Sequence, residues 1–158
     1  MRNRREFMAS IGTVGTVAIA GCSDANLSAT NSAGRGPVET VEEYYAAIEN
    51  GNIEKANELR HPNSDVYPLD KNYINNTTQG TLIDANDLST SELVETGLFL
   101  DEEQVRKNKQ EIKSSADSNK VAIVWVTSEV TGEDLDRPRT IEKPVNVVLS
   151  DGSWKIYA

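Results

Sequence analysis

The chain is poor in the residues that most often announce chemistry: it has one cysteine and one histidine in 158 residues. A single thiol cannot close an intrachain disulfide and excludes a cysteine-rich zinc site. A lone imidazole, His61, offers no Ser-His-Asp constellation, and G-x-x-x-x-G-K, G-x-G-x-x-G and H-E-x-x-H are all missing. Hydrolase and nucleotide-binding classes are therefore disfavoured, and no cofactor or metal is called for. Basic residues are also scarce. With 16 Lys plus Arg against 25 Asp plus Glu, the net charge is −9, which argues against nucleic acid because neutralising phosphates takes a basic face. What remains, 37% hydrophobic and 26% charged residues, suffices for one core in one domain.

The first 21 residues read as targeting sequence and are set aside from the fold. A basic head with Arg2, Arg4 and Arg5 precedes a mild apolar run from Met8 to Ala20. That run holds Gly12, Thr13, Gly15 and Thr16, so it is too short and weak to span a bilayer stably. Arg4, Arg5 and Phe7 are placed as in the twin-arginine export signal, which this segment resembles. Ile19-Ala20-Gly21-Cys22 resembles the lipobox of prokaryotic lipoproteins, where small residues expose the bond before a cysteine that receives lipid. The resemblance implies export and anchoring to the outer face of the cytoplasmic membrane through Cys22. Two chains on one cysteine hold stably, since each buried methylene contributes about 0.8 kcal/mol. An uncleaved signal would leave the chain at a membrane surface as well.

Residues 22–36 continue as a tether rich in Ser, Ala, Asn and Gly, without the apolar residues a core needs. As a coil, fourteen residues reach about 20 Å. Removing residues 1–21 takes away three arginines and Glu6, leaving 13 basic against 24 acidic residues. Such a surface stays hydrated where salt screens charge. Together with the signal, it resembles exported lipoproteins of halophilic archaea. Sequons at Asn26, Asn75 and Asn76 are candidate glycosylation sites in an exported chain.

Residues 37–158 are expected to form an α+β domain. Val38, Val41, Tyr45 and Ile48 recur at helical spacing, with Glu39, Glu42, Glu43 and Glu49 facing water. Pro37 suits the first turn, and Asn50-Gly51 ends the helix. A second helix, Ile53 to Arg60, stops before Pro62, because the residue preceding proline avoids helical dihedrals. The stretch from Tyr67 to Thr81 is polar, with strand pieces at best, and Leu88 to Leu98 reads as a third helix. Glu103 to Ser115 has helix-forming composition, yet a strand is favoured there, because the central apolar strand needs neighbours on both sides. That central strand is Val121 to Thr131, whose β-branched run suits cover on both faces. A loop at Gly132 to Pro138 leads to a strand from Arg139 to Leu149, and Asp151-Gly152 turns the chain into Trp154 to Ile156.

Pro37 to Pro62, a helix ending in Asn50-Gly51-Asn52 before a second helix with Ala56 and Leu59, resembles the opening of a nuclear-transport-factor-2-like domain. Val147 to Ile156, closing on Trp-Lys-Ile, resembles that superfamily's last hairpin. The match covers the two ends of the domain and leaves out its middle. It implies N-terminal helices on a curved antiparallel sheet around a cone-shaped pocket, and either binding or ketosteroid-isomerase-like chemistry using a buried acid, His or Tyr. It also implies homodimers formed through the open sheet face, which requires Val124 and Val148 to be exposed.

No catalytic residue is assigned. Pocket-lining candidates are Tyr45, His61, Asp65, Tyr67, Trp125 and Trp154. Each has a plainer reading: His61 as a cationic cap of a helix end, Asp65 and Asp70 as turn formers beside Pro62 and Pro68, and Tyr44, Tyr45 and the tryptophans as core. Asp101-Glu102-Glu103 and the acidic residues from Glu133 to Asp136 lack the spacing of a calcium loop and read as exposed turns. The favoured function is non-catalytic binding of a small molecule or a protein partner. A ketosteroid-isomerase-like or dehydratase-like enzyme is the alternative.

Overall fold

The computed structural model describes residues 34–72, 80–131 and 136–157. Arg4, Arg5, Phe7, Cys22, Asn26, Asn75 and Asn76 lie outside them, as do residues 133–135 of the second acidic cluster.

Helix α1 (Pro37–Glu49) starts with proline in its first turn and buries Thr40, Val41, Tyr44, Tyr45 and Ala47 along one stripe. Gly51 turns the chain at φ +65°, and the Asn52 side chain accepts from the Lys55 amide at 3.0 Å to cap α2 (Ile53–Glu58). The β1 strand (Thr81–Asp87) follows, and then α3 (Thr90–Glu95), opened by a capping box between Ser89 and Glu92. Helix α4 (Glu102–Ala116) precedes β2 (Val121–Val130), β3 (Arg139–Ser150) and β4 (Ser153–Ile156).

The four strands pair antiparallel in the order β1-β2-β3-β4, and the sheet curls into a half-barrel. Helix α1 lies on one face, packing Val41, Tyr44 and Tyr45 against Val124, Val126, Val145, Val147 and Ile156. The other face is covered by α3 and α4: Ile123 meets Leu93 and Val105, and Val148 meets Ile112 and Ala116. Strand β2 is therefore buried from both sides, as its unbroken apolar run requires.

Three expectations are corrected. Residues 103–115 are helical, because Asp101 accepts from the Gln104 amide at 2.8 Å, acidic Glu102 and Glu103 occupy the first turn, and Val105, Ile112 and Ala116 share a buried face. Asp101-Glu102-Glu103 is thus a helix start. The neighbour that β2 needs is β1, which hides from a search for alternation. A bulge between Leu82 and Asp84 leaves Ile83 57% exposed while Leu82 and Ala85, three residues apart, both pack on the core. Finally, Val124 and Val148 are fully buried under helices, so pairing through an open sheet face cannot use them.

Candidate functional site

Two sets of backbone hydrogen bonds shape the surface beside the last strand. The Ile156 amide donates to the Leu59 carbonyl at 2.7 Å, and the His61 amide donates to the Ile156 carbonyl at 2.8 Å. The segment after α2 thereby runs along the outer edge of β4 and covers its unpaired groups. Farther on, Asn57 holds the irregular loop in place: the Leu69 amide donates to its Oδ1 at 2.7 Å, and its Nδ2 donates to the Leu69 carbonyl at 3.1 Å. A cleft of about 430 Å³ opens between this loop, the start of α1, α2 and β4.

Its lining is unusual for so acidic a chain: Arg35, Lys55, Arg60 and Lys155 face a single lining carboxylate, Glu58. Glu43, just behind, pairs with Arg35 at 2.6 Å and more loosely with Lys55 at 3.9 Å, and Lys55 also approaches Glu58 at 3.6 Å. Lys155 Nζ donates to the Glu58 carbonyl, and burial, with Lys55 and Arg35 nearby, pushes its pKa below the usual lysine range against the opposing pull of Glu58 and Asp151. Arg60 is buried at 5% exposure, donating to the Tyr44 hydroxyl at 2.9 Å and to Ser64 Oγ at 3.2 Å. Trp154 and Tyr67 supply aromatic surface to the same cleft.

Of the six candidate lining residues, the structure brings these two together. Asp65 is exposed in the loop outside the cleft lining. Trp125 is half-buried on the face of β2 that carries Ile123, away from the cleft. His61 adjoins the cleft through its neighbours Arg60 and Pro62 but turns inward. Its Nδ1 accepts from the Asn63 amide at 3.1 Å, and its ring meets Tyr157 edge-on at 5.7 Å. Burial lowers its pKa, with Lys155 acting the same way and Asp151 opposing, so His61 is neutral rather than a cationic helix cap. The cationic residues escaped notice because positions 35, 55, 60 and 155 share no local motif.

Tyr45 belongs to a second group, under α1. It is 4% exposed, its hydroxyl lacks a hydrogen-bond partner, and burial together with neighbouring Tyr44 pushes its pKa up to about 12. Lys143 Nζ lies 5.8 Å from its ring centre, with its pKa lowered by burial. The Ser128 hydroxyl is likewise buried and unpartnered. A wider groove of about 610 Å³ runs past α3 and α4, where Lys109, Lys113 and Lys120 alternate with Asp87 and Glu92. Among the described residues no group of His, Cys, Asp and Glu side chains is placed to hold a metal, and no helix is long and apolar enough to cross a membrane. Comparison with protein-family models, curated proteins and solved structures finds no match to the chain.

Proposed function

We propose that this is an exported lipoprotein, held at the outer face of the cytoplasmic membrane by lipid on Cys22, whose domain binds a small molecule without transforming it. The observation that carries the binding reading is the cleft between α1, α2 and β4, a concave site that combines aromatic walls with a few convergent polar groups. The curled sheet wrapped on α1 supports a nuclear-transport-factor-2-like cone, the fold implied by the two end motifs. Anchoring is tested by fractionation of cells expressing the full chain. Cys22→Ser is expected to release it from the membrane fraction, and Arg4→Lys with Arg5→Lys to retain it in the cytoplasm. Membrane retention of Cys22→Ser would remove the lipid from the reading. Binding is tested by ligand-induced protection from thermal unfolding across a small-molecule panel, and protection that disappears in Tyr67→Ala places the ligand in this cleft.

A ketosteroid-isomerase-like enzyme is the second reading, favoured by one observation: Tyr45, a buried hydroxyl donor held protonated beside Lys143. It ranks second because Tyr45 does not line the cleft. Its test is exchange of the α-protons of a cyclic enone in deuterated buffer, expected to stop in Tyr45→Phe if the reading holds.

A further inference from the structure

We propose that Lys143, on the α1-facing side of the sheet, is a nucleophilic amine that captures a small apolar aldehyde as an imine. This site is separate from the cleft and does not rest on the cleft being a ligand site. Lys143 stands directly across from Val126, and Ser128 follows two residues along the same strand, so both side chains lie on the face that α1 covers. From α1, Tyr45 presents its ring to the amine, with Nζ 5.8 Å from the ring centre. Among the described residues that ring is the partner of the Lys143 amine, and no carboxylate pairs with it.

A half-buried ammonium without a carboxylate is poorly stabilised, so the surroundings favour the free amine, which is the nucleophilic form. Burial accordingly lowers the Lys143 pKa. Lys155, whose pKa is also lowered, differs because its Nζ donates to the Glu58 carbonyl while Glu58 and Asp151 favour its charge. The Tyr45 and Ser128 hydroxyls are buried without partners, and Tyr45, its pKa pushed up to about 12, keeps its proton. Ile141, two residues before Lys143 and across from Ser128, is 39% exposed on the same face and gives the amine an apolar approach from solvent. In the reaction the Nζ lone pair attacks the aldehyde carbon, the C=O π electrons move to oxygen, and one proton passes from nitrogen to that oxygen. The resulting carbinolamine loses its hydroxyl and the second nitrogen proton as water, leaving a C=N bond, and no oxidant or reductant takes part.

The test treats the full-length chain at pH 7.5 with hexanal and cyanoborohydride, which reduces an imine to a stable secondary amine, and locates the adducts by peptide mass spectrometry over time. Lys143 is expected to be labelled about tenfold faster than any other lysine, although Lys71, Lys107 and Lys120 are exposed and Lys143 is half-buried. Lys143→Arg keeps the charge and should abolish that adduct alone. Ile141→Asp places a carboxylate on the same face, at a position open to solvent, and is expected to slow labelling of Lys143 at least threefold while the other lysines keep their rates. Labelling of Lys143 at or below the rate of the exposed lysines overturns the proposal and leaves the binding cleft untouched. That comparison is made within the unaltered chain, so it decides the matter even if a variant fails to fold.

Discussion

The Arg60 guanidinium donates to the Tyr44 hydroxyl at 2.9 Å and lies 5.7 Å from the centre of the same ring. This buried contact ties the segment along β4 to the middle of α1, two elements that the cleft separates at the surface. Tyr44→Phe keeps the ring and removes the acceptor. Because the donor is charged and buried, the substitution is expected to cost about 1.5–3 kcal/mol, read from the urea midpoint at unchanged slope. A loss below about 0.5 kcal/mol would mean that water or another group replaces the hydroxyl fully.

His61 is the only histidine, which makes its titration separable. Its folded pKa is lowered, chiefly by burial, so between that value and the unfolded value of about 6.5 the unfolded chain holds the proton and the folded chain does not. The stability from neutral His61 is therefore fully present above about pH 6.5 and is lost as pH falls through the unfolded pKa toward the folded one. Unfolding free energies at pH 7.5 and 5.5 should differ more for the native chain than for His61→Gln. A single imidazole resonance titrating above 6.5 in the folded protein would contradict this account.

Two glycines with positive φ separate conformational strain from collision. Gly152, at φ +76°, has open space where a Cβ would stand, so Gly152→Ala is expected to cost only about 1–2 kcal/mol. Gly80, at φ +71°, precedes β1, and a Cβ there would stand 2.3 Å from the Glu129 carbonyl oxygen. Gly80→Ala should cost clearly more and should detach the start of β1 from β2, seen as faster amide exchange at Thr81 and Leu82. Equal costs at the two sites would show that β1 shifts freely.

Leu93 is fully buried between β2 and α4, where it touches Ile123 and Val105, whereas Leu100 is 85% exposed. Leu93→Ala is expected to cost about 2–5 kcal/mol and Leu100→Ala less than about 0.5. Thermal unfolding of both variants checks the pair. A small loss at Leu93 would mean that α3 is not part of the cooperative core.

The hairpins and the first helix were legible in the sequence because their signals are local. Asp151-Gly152 sits between alternating strands and adopts positive φ at both residues, and β2 and β3 lie within two residues of their expected bounds. Helix α4 was misread through a global argument that outweighed local ones: the need for a strand beside β2 overrode a capped, acidic helix start. Strand β1 was missed because its bulge replaces alternation with a three-residue spacing that no period-two pattern contains.

The sequence by itself determined the charge, the single thiol, the single imidazole and the periodic faces that make helices and strands, since each depends on residues near one another in the chain. Only the tertiary structure decided the cleft. Arg35, Lys55, Arg60 and Lys155 become neighbours when backbone bonds join Leu59 and His61 to Ile156 across nearly a hundred residues. The fold likewise turned His61 inward to a neutral state and left Tyr45 buried outside the cleft that Trp154 lines, because pKa and accessibility follow from burial, and burial follows from which faces meet.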